Sequence, residues 1–497
     1  MVFNKVAVPL AVGCAWIILP QFVFFVALAN LSICVGLSGA HLWSTLQVLF
    51  DPRQTLPAFD PHPVSGGDAV ADRPSVSIHV PVYNEPPAVV TQTLLSLARL
   101  DYLDFEVLVL DNNTPEAATY LPIQRLCAQL GPRFRFFHFD GVTGAKAGAL
   151  NLCLQLMDPD AQLVAIVDAD YQVEPHFLRS AAAHLQSSAI GFVQFPQAYR
   201  GADRHGREVA CELNDYFSAF AKRANTTRSM LLTGTLSVIR ADVLRKAGGW
   251  TSRTITEDAE LGARLFLDGI NGVFVDEKVG TGLLPVSIQG LHVQRARWVA
   301  GNVQTLAGLL ASCPSAPMRQ GFSSLLSQLT AWPTFWLVPA LVLGCAIASP
   351  PAGPWRERAV DVAAVSIPLS LALLGLRLLA SARLRGDPAA SVLTSLAVKL
   401  ALMWTSSTAW IDGLAQKSMP FARTPKGRTA GDARPFEATW AIALAGLAGA
   451  LVFAAAGRYG AVPACLLIFA TAPASFWTSR SLENYASALE TQQEHIQ

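Results

Sequence analysis

Long stretches with almost no charged residue constrain the fold of this 497-residue chain more than any other feature of its sequence. A helix needs about 20 consecutive apolar residues to cross a bilayer. The N-terminal run, from Val6 to about Phe50, is long enough for one long helix or, as we expect, two tightly connected helices. Further apolar runs cover about 322–348, 359–382, 390–411, 438–456 and 459–478. The pattern predicts an α-helical transmembrane domain of about six helices, with additional interfacial helices.

The composition agrees with a membrane protein. Hydrophobic residues make up 52% of the chain and charged residues only 15%, whereas soluble domains carry about a quarter charged residues. The net charge of +1 provides little attraction for nucleic acid, and no nucleic-acid partner is expected. The eight cysteines form no CxxC pair and several lie in apolar runs, so buried free thiols are predicted.

Residues 72–300 have the character of a soluble α/β domain. Short β-rich runs, such as SVSIHVPV and LVAIVDAD, alternate with helix-like stretches such as AKAGALNLCLQLM. This alternation predicts a mostly parallel sheet with helices on both faces. We therefore expect N-terminal transmembrane segments in 1–50, the α/β domain in 72–300, a membrane region in 301–480 and a short cytoplasmic tail in 481–497.

Basic residues near the apolar runs indicate the orientation in the membrane. If the α/β domain is cytoplasmic and the run at 390–411 lies along the interface without crossing, more basic residues lie inside than outside. This bias follows the positive-inside rule and predicts a multi-pass protein of the plasma membrane, the inner membrane in bacteria, surrounded by lipids. The inner residues are Arg383, Arg385, Lys417, Arg423, Lys426, Arg428 and Arg434, and the outer ones are Arg356, Arg358 and Arg458.

Ligands of open α/β sheets bind beyond the carboxyl ends of the strands, and three polar stretches fall at such ends. In VPVYNEPP, Tyr83 could stack on a base while Asn84 and Glu85 bond polar groups, although a proline-rich turn explains this stretch equally well. In VLDNNT, Asp111 ends the second predicted strand and is placed to contact a ribose or a base. The two asparagines that follow it suit a tight turn.

The third stretch, IVDADYQVEP, contains two aspartates that can act together. Side chains two residues apart in an extended segment point the same way, so Asp168 and Asp170 can converge. Mg²⁺ and Mn²⁺ take oxygen ligands and complete their coordination with water and substrate phosphates. The pair therefore fits a metal ion that neutralises a diphosphate, and a simple turn at the end of a strand is the alternative.

A downstream acidic stretch, TITEDAELG, is expected to open a helix at about Thr256. Acidic residues in a first helical turn complement the helix dipole, which is a sufficient structural explanation for Glu257 and Asp258. A functional explanation is also available, because a carboxylate at this place could act as a general base that takes the proton of an attacking hydroxyl.

The stretch HVQRARWVAGN places Gln294, Arg297 and Trp298 on adjoining helical positions. Arg297 could pair with a diphosphate, and Trp298 could offer its flat apolar face to a sugar ring. An amphipathic helix beside the membrane, with a tryptophan at the interface, is the structural alternative.

In their order along the chain, these stretches resemble the D, DxD, TED and QxxRW motifs of the processive family-two glycosyltransferases, which include cellulose, chitin and hyaluronan synthases. The segment HFDGVTGAKAGALN is similar to the family's lysine-bearing segment, FVQFPQAY to the segment before the acceptor helix, and LLTGTLSVIR to the loop that cups the acceptor end. The resemblance covers roughly residues 75–480. The matching positions are Asp111, Asp168-x-Asp170, Thr256-Glu257-Asp258 and Gln294-x-x-Arg297-Trp298.

The resemblance implies an α/β nucleotide-sugar glycosyltransferase domain of the GT-A type, inserted into the α-helical transmembrane domain. By it, Asp258 is the catalytic base of the motif Thr256-Glu257-Asp258, and Asp168 and Asp170 serve a Mg²⁺ or Mn²⁺ ion on the diphosphate. The residues that it implies for binding the donor or the acceptor are Tyr83, Glu85, Asp111, Lys146, Asp168, Thr233, Gly234, Gln294, Arg297 and Trp298.

The segment PFARTPKGR is similar to the gating loop of cellulose synthases, whose pattern is Phe-x-Val-Thr-Pro-Lys-Gly. This implies a loop at 417–430 in which Phe421, Thr424 and Lys426 close over the nucleotide. Two features depart from cellulose synthases. Asp111 is followed by an asparagine where they often have a second aspartate, and no cyclic-dinucleotide-binding segment is expected in the tail at 481–497.

The resemblance implies a processive, inverting enzyme that polymerises glucose from UDP-glucose into a β-1,3- or β-1,4-glucan and passes the chain across the membrane. Its partners would then be the UDP-sugar donor, the growing polysaccharide acceptor, and either export proteins or further copies of the chain. The alternatives are a synthase that uses UDP-N-acetylglucosamine and a non-processive, lipid-linked sugar transferase.

Overall fold

Two helices form the N-terminal part of the chain. The computed structural model describes residues 2–50, 74–312, 319–415 and 435–494. Helix α1 (Val2–Ile18) and helix α2 (Pro20–Phe50) are separated at Leu19. Proline lacks a backbone N–H and is favoured in the first turn of a helix, so Pro20 suits the start of α2. The N-terminal apolar run therefore forms two connected helices.

A mixed seven-stranded sheet forms the centre of the α/β domain, and a second sheet of three short strands lies beside it. The strands are β1 (Val76–Val82), β2 (Phe105–Asn112), β3 (Phe134–Phe139), β4 (Leu163–Ile166), β5 (Gln172–Val173), β6 (Ile190–Gln194), β7 (Ala198–Tyr199), β8 (Ser237–Arg240), β9 (Asn271–Phe274) and β10 (Gly280–Gly282). The large sheet has the order β3-β2-β1-β4-β8-β6-β9, and the small sheet has the order β5-β10-β7.

The large sheet is mostly parallel, as the sequence pattern predicts, and one of its strands runs in the opposite direction. Neighbours among β3, β2, β1 and β4 are parallel, as are β6 and β9. Strand β8 runs antiparallel to both β4 and β6. Its first residue, Ser237, pairs with the last residues of its neighbours, Ile166 and Gln194, so the chain enters β8 from the edge at which the other strands end.

Among the described residues, eight α-helices and one π-helical segment (Phe217–Ala221) accompany the sheets, and the sheet core is buried on both faces. In β2, Val107 and Val109 belong to the cluster on one face, whereas Leu108 and Leu110 belong to the cluster on the other. All four are 0% exposed, and burying a side chain of this size contributes about 1.5–3 kcal/mol. The helices are α3 (Pro87–Leu97), α4 (Ala117–Leu130), α5 (Ala145–Leu156), α6 (Phe177–Leu185), α7 (Arg207–Tyr216), α8 (Lys222–Thr227), α9 (Ala241–Lys246) and α10 (Glu257–Leu267).

In the part of the chain that the structure describes, eight further α-helices follow the α/β domain, and some of them are long and apolar. In the described ranges, four helices have the length and composition to cross a membrane: Pro20–Phe50, Pro354–Arg385, Ala438–Ala455 and Tyr459–Thr491. The following helices are α11 (Ile288–Ala311), α12 (Arg319–Leu329), α13 (Leu337–Ala348), α14 (Pro354–Arg385), α15 (Ala390–Ala401), α16 (Met403–Leu414), α17 (Pro435–Ala455) and α18 (Val462–Glu494).

Among the described residues, the number of candidate spans is lower than the roughly six helices predicted from the sequence. The run at 322–348 is divided between α12 and α13, with 11 and 12 residues, and neither reaches the length of a span. Pro333 lies in the break between them, where its missing N–H interrupts the helical hydrogen bonds. Helices α15 and α16 form a pair bent by 50°, which raises the number from four to five if the pair is one span.

The C-terminal segment expected to be a short tail continues a long helix. Helix α18 runs without interruption from the apolar run to Glu494. Its residues Leu482 and Tyr485 are almost completely buried, in a cluster that also contains Val209 and Leu284 of the α/β domain. The last helix therefore packs on the α/β domain beyond its apolar part.

Candidate active site

A pocket at the carboxyl ends of β1, β2 and β4 brings together most of the side chains predicted from the sequence. Asp111 does not line this pocket, and Phe421, Thr424 and Lys426 lie outside the described residues, as does the whole predicted loop at 417–430. The predicted residues that line it are Tyr83, Glu85, Lys146, Asp168, Asp170, Thr233, Gly234, Thr256, Glu257, Asp258, Gln294, Arg297 and Trp298.

Lys146 lies among the acidic side chains of the pocket. Near the start of α5, its Nζ donates to Asp168 Oδ1 at 2.5 Å and to the Gly234 carbonyl at 2.7 Å. Burial by itself lowers the pKa of Lys146, but the carboxylates of Asp168, Glu257 and Asp258 outweigh burial, and the pKa is raised. Lys146 is therefore a fixed cation at the centre of this pocket.

Asp168 and Asp170 line the same pocket in different environments. Asp168 is partly exposed, with 34% of its side chain accessible, and its N–H donates to Thr235 Oγ1 at 3.0 Å. Asp170 is buried, and its Oδ2 accepts a hydrogen bond from Leu283 N at 3.0 Å. In the described ranges no group of three or more His, Cys, Asp or Glu side chains could hold a metal ion. A hard cation here would therefore take its other ligands from water and from a phosphate-bearing substrate, which suits Mg²⁺ or Mn²⁺.

Asp258 is held at the start of α10. Thr256 is the N-cap residue, and Ala259 N donates to Asp258 Oδ1 at 2.8 Å. Burial, followed by repulsion from the Glu257 carboxylate, raises the pKa of Asp258 to about 7, against the opposing effects of Lys146 and the Ala259 N–H. A carboxyl group with this pKa can accept and release a proton near neutral pH.

Gly234 permits the close approach of its loop to Asp258. Its φ is +84°, and a Cβ at this position would lie 2.8 Å from Asp258 Oδ2. Any other residue would be strained in this conformation and would push against the carboxylate. The loop predicted to cup an acceptor therefore lies directly against Asp258.

Helix α11 supplies Gln294, Arg297 and Trp298 to the same pocket. Gly301 lets the helix approach the start of α10, since a Cβ there would lie 2.4 Å from Thr256 Oγ1. Gln294 Oε1 is buried and has no hydrogen-bond partner among the residues that the structure describes. The helix thus presents polar side chains to the pocket that Asp258 also lines.

A second pocket adjoins the first one and shares Asp258, Trp298, Thr233 and Thr256 with it. This second pocket is rich in aromatic rings, and the rings of Trp298 and Trp332 are 5.0 Å apart. Aromatic faces suit the apolar faces of sugar rings. Asp258 therefore stands at the junction of a polar pocket and an aromatic pocket. The aromatic residues are Tyr199, Tyr216, Phe217, Trp298 and Trp332.

Asp111 has a different environment from the one expected. It is 1% exposed, its Oδ1 accepts from Thr114 Oγ1 at 2.5 Å, and its Oδ2 lies 2.7 Å from His138 Nδ1. The next residue, Asn112, lines the pocket instead. From the sequence, Asn112 was expected only to suit a turn, because nothing in the pattern shows which of two adjacent side chains faces a ligand.

Gln197 is a second pocket residue outside the predicted set. It lines both pockets, and its Nε2 donates to the Thr233 carbonyl at 2.7 Å, which ties it to the loop beside Asp258. Gln197 belongs to the segment FVQFPQAY. The resemblance of this segment to the family's segment before the acceptor helix is the signal that could have indicated Gln197 as a site residue.

Comparison with family models identifies the chain. Residues 163–452 match the model described as "Glycosyl transferase family group 2", and residues 77–248 match "Glycosyl transferase family 2". The chain belongs to glycosyltransferase family 2. This family 2 glycosyltransferase has a GT-A-like α/β domain with a mixed sheet, joined within the described ranges to four or five long apolar helices.

Two curated relatives of the chain are named for polysaccharide synthesis. It is 26% identical over 319 residues to the cellulose synthase catalytic subunit (UDP-forming) of Xanthomonas axonopodis pv. citri (strain 306), covering 61% of this chain and 42% of the relative. It is 30% identical over 251 residues to the probable glucomannan 4-beta-mannosyltransferase 14 of Arabidopsis thaliana, covering 46% of this chain and 45% of the relative. The chain spans less than half the length of these two relatives.

A solved structure also resembles the chain. The mannosyltransferase of Pyrobaculum calidifontis, in complex with GDP-Man and Mn²⁺, is 20% identical, with a TM-score of 0.47. The similarity covers 78% of this chain and 97% of that one.

Proposed function

We propose that this family 2 glycosyltransferase is a membrane-embedded, processive polysaccharide synthase that transfers glucose from UDP-glucose to a growing β-glucan. The observation that carries the proposal is the position of Asp258, which lines both the polar and the aromatic pocket. A donor with a charged diphosphate suits the polar side, where Lys146 and Arg297 lie, and a sugar chain suits the aromatic side. A base that contacts both pockets is placed to join two substrates.

The proposed reaction is a single displacement at the anomeric carbon of the donor sugar. Asp258 takes the proton of the acceptor hydroxyl, whose oxygen forms the new glycosidic bond as the bond to UDP breaks. Lys146 and Arg297 are placed to stabilise the negative charge on the departing diphosphate. One displacement inverts the configuration, so an α-linked donor gives a β-linked product.

Asp168 and Asp170 are the residues proposed to hold Mg²⁺ or Mn²⁺ together with the diphosphate. When bound, such an ion neutralises negative charge on the leaving group. Both carboxylates line the polar pocket, which is the proposed donor pocket. Asp168 is sufficiently exposed to reach a ligand. Leu283 N already engages one oxygen of Asp170, which fixes the direction of that carboxylate.

A third pocket supports passage of the product toward the membrane helices. It shares Trp332 with the aromatic pocket and is lined by residues of α2, α14 and α15, including His41, Ser370 and Lys399. A polysaccharide cannot cross hydrocarbon without polar partners, because each unsatisfied polar group costs several kcal/mol. We propose that the polysaccharide product leaves by this route. It would pass from a cytoplasmic catalytic domain in 72–300 through the membrane region in 301–480. The protein would then be a multi-pass protein of the plasma membrane.

The similarity to mannosyltransferases makes a second donor worth testing. The relative from Arabidopsis thaliana is named a glucomannan mannosyltransferase, so a mannan made from GDP-mannose is the second candidate product. Purified protein in lipid with Mg²⁺ or Mn²⁺ should be given labelled UDP-glucose, UDP-N-acetylglucosamine or GDP-mannose, and the product digested with linkage-specific hydrolases. We expect polymer from UDP-glucose alone. Transfer of single sugars to lipid would contradict a processive synthase.

The role of Asp258 is tested by the variant Asp258→Asn, which keeps the shape of the side chain and removes the base. We expect polymer synthesis to fall by about 100-fold or more, while UDP affinity measured by calorimetry changes little. Asp268→Asn is the matched control, since Asp268 lies exposed at the other end of the same helix. Equal losses of activity in the two variants, or loss of UDP binding in Asp258→Asn, would count against the proposed role.

A further inference from the structure

A further pocket, with a volume of about 740 Å³, lies between α10, α11 and the start of α5, and the proposed reaction does not use it. We call it the α10–α11 pocket. It shares Lys146, Ile255 and Glu257 with the polar pocket and no described residue with the aromatic pocket. Ligand pockets usually have about 300–1,000 Å³, so a small molecule fits here beside the donor pocket. The residues that line it lie within 144–147, 252–255, 257–267 and 304–312.

Thr305 of α11 indicates that this pocket takes a ligand. Thr305 is 5% exposed, it lines the pocket, and its Oγ1 has no hydrogen-bond partner among the residues that the structure describes. Gly301, one turn earlier on the same face of α11, approaches Thr256 at the start of α10, so Thr305 is directed toward α10 across the pocket. A buried hydroxyl without a partner is costly, and a bound group would supply that partner.

The first turn of α5 offers backbone N–H groups to the same pocket. Gly144 is the N-cap residue, and no side chain in the described ranges caps this end of the helix. The first N–H groups of a helix have no partner within it and carry a positive partial charge, which attracts anions. Gly144, Ala145 and Ala147 line the α10–α11 pocket and not the polar pocket. Ser252 lies against the helix start, since a Cβ at Gly144 would be 3.4 Å from Ser252 Cβ, and the segment 252–255 therefore shares this positive end of the pocket.

The charged side chains of the wall leave one positive charge uncompensated. Glu260 accepts hydrogen bonds from Arg264 Nε at 2.9 Å and 3.0 Å, and Glu257 interacts with the Lys146 cation. Arg253 is exposed and forms no ion pair with any residue in the described ranges. No aromatic ring among the described residues lines this pocket, so a sugar or a nucleotide base has no face to stack on. These features together favour a small anion without a ring.

We propose that the α10–α11 pocket binds a small polyphosphate anion, of which pyrophosphate is the simplest, at Arg253, the first turn of α5 and the Thr305 hydroxyl. Phosphate oxygens accept hydrogen bonds from guanidinium, backbone N–H and hydroxyl groups. Gln304 Oε1 accepts from Ile255 N at 3.4 Å, which holds the segment that contains Arg253 beside the turn that contains Thr305. Binding of the anion requires nothing of the function proposed above, whereas its effect on sugar transfer rests on that function.

The test measures pyrophosphate binding by calorimetry on the purified full-length protein in lipid nanodiscs, with saturating UDP in the donor pocket and excess Mg²⁺. We expect the wild type to bind pyrophosphate under these conditions. In Arg253→Gln, binding should weaken by about 10- to 100-fold, the value of one hydrogen bond to a charged group. Arg125→Gln, at an exposed position of α4 outside the pocket, is the control and should bind as the wild type does. No binding to the UDP-saturated wild type, or unchanged binding in Arg253→Gln, would overturn the proposal.

The variant Thr305→Val separates a ligand contact from a structural role. It keeps the branched shape of the side chain and removes only the hydroxyl. Since this hydroxyl has no partner among the described residues, the ligand-free variant should unfold at the wild-type temperature or above it. Its affinity for pyrophosphate should fall by about two- to tenfold, the value of one neutral hydrogen bond. A lower unfolding temperature with unchanged affinity would assign the hydroxyl to the fold and overturn its place in the site.

The anion acts on the reaction through Lys146, which lines both pockets. An ammonium group has three donors, and Lys146 uses two of them within the described residues, for Asp168 and for the Gly234 carbonyl. An anion in the α10–α11 pocket attracts this cation away from the departing diphosphate. We therefore expect pyrophosphate to lower kcat with UDP-glucose while KM changes little, and to inhibit Arg253→Gln less than the wild type. Inhibition that raises KM alone would place pyrophosphate in the donor pocket and overturn the proposal.

Failure of this inference is distinguishable from failure of the proposed function. Pyrophosphate binding beside UDP that depends on Arg253, without polymer formation, would support the anion site and contradict only the synthase. Polymer formation from UDP-glucose by a protein that binds no pyrophosphate beside UDP would support the synthase and overturn the anion site.

Discussion

The proton affinity of Asp258 depends on its immediate neighbours. Burial and the adjacent Glu257 carboxylate raise its pKa to about 7, whereas Lys146 opposes them. A general base works only in its deprotonated form. Because its neighbours raise its pKa, Asp258 is a stronger base but is protonated in mildly acidic solution. The pH dependence of the reaction therefore measures the effect of these neighbours on Asp258.

The transfer rate should rise with pH through about 7, the pKa of Asp258. Below this value the rate should fall by about tenfold for each pH unit, since only the deprotonated fraction is active. The measurement is kcat/KM for the donor between about pH 5 and 9, the range that brackets the titration of such a base. A rate that is independent of pH across this range would contradict the role of Asp258 as base.

Replacing Glu257 with glutamine should move this pH dependence. The variant Glu257→Gln removes the negative charge that disfavours ionisation of Asp258, so the pKa of Asp258 falls and the acidic limb shifts to lower pH. Glu174→Gln, an exposed position that does not line the pocket, is the control and should leave the profile in place. If the acidic limb of the profile shifts to higher pH in Glu257→Gln, the Glu257 charge does not raise the pKa of Asp258.

At the scale of single elements, the C-terminal part of α18 contacts segments beside the donor pocket. Tyr485 Oη donates to the Arg200 carbonyl at 2.9 Å and accepts from Leu284 N at 3.2 Å. The residue before Leu284, Leu283, donates its N–H to Asp170. Helix α18 therefore supports the segment that positions one of the two aspartates of the DxD motif.

The variant Tyr485→Phe should test this connection. It removes one hydroxyl and leaves the Arg200 carbonyl and Leu284 N without their partner, at a cost of about 1–3 kcal/mol in the free energy of unfolding. We also expect KM for the donor to rise more than kcat falls, because Asp170 is held less firmly. Tyr459→Phe is the control at an exposed position, where thermal unfolding and kinetics should not change. Equal effects in both variants would contradict a specific link.

At the scale of the whole molecule, buried ion pairs join the α/β domain to the helices that follow it. Glu212 of α7 contacts Arg295 of α11 and Lys399 of α15, both at 2.6 Å. Asp215 contacts Arg377 of α14 at 2.6 Å. Burial alone would raise the pKa of Glu212, but its two cationic partners outweigh burial and lower it. The active site and the membrane region are thus joined through charges that solvent does not reach.

The variant Glu212→Gln should destabilise the whole assembly. It leaves Arg295 and Lys399 buried opposite a neutral amide, and removing one partner of a buried ion pair costs about 3–5 kcal/mol. Thermal unfolding of the full-length protein measures the loss. Glu483→Gln removes a charge from an exposed pair with Arg480 and should cost at most about 1 kcal/mol. A smaller loss in Glu212→Gln than in Glu483→Gln would contradict this account of the interface.

Much of the fold and of the candidate site could be predicted because the signals are local. The continuous apolar run 107–110 of β2 buries both faces of the strand, and the acidic turn after Thr256 does start a helix. Motif residues far apart in sequence, such as Lys146 and Arg297, do line one pocket. The division of the run at 322–348 into two short helices was not predicted, because mean apolarity is insensitive to a break between helices.

The sequence by itself determined which chemical groups are present and which segments are apolar, because composition and spacing are properties of the chain alone. Only the tertiary structure decided how those groups are used. His138, 27 residues beyond Asp111, occupies one of its oxygens and leaves Asn112 to face the donor pocket. The junction of two pockets at Asp258 likewise depends on α10 and α11 meeting at Thr256 and Gly301. Burial and hydrogen bonding arise from neighbours that are distant in sequence, and no local pattern encodes them.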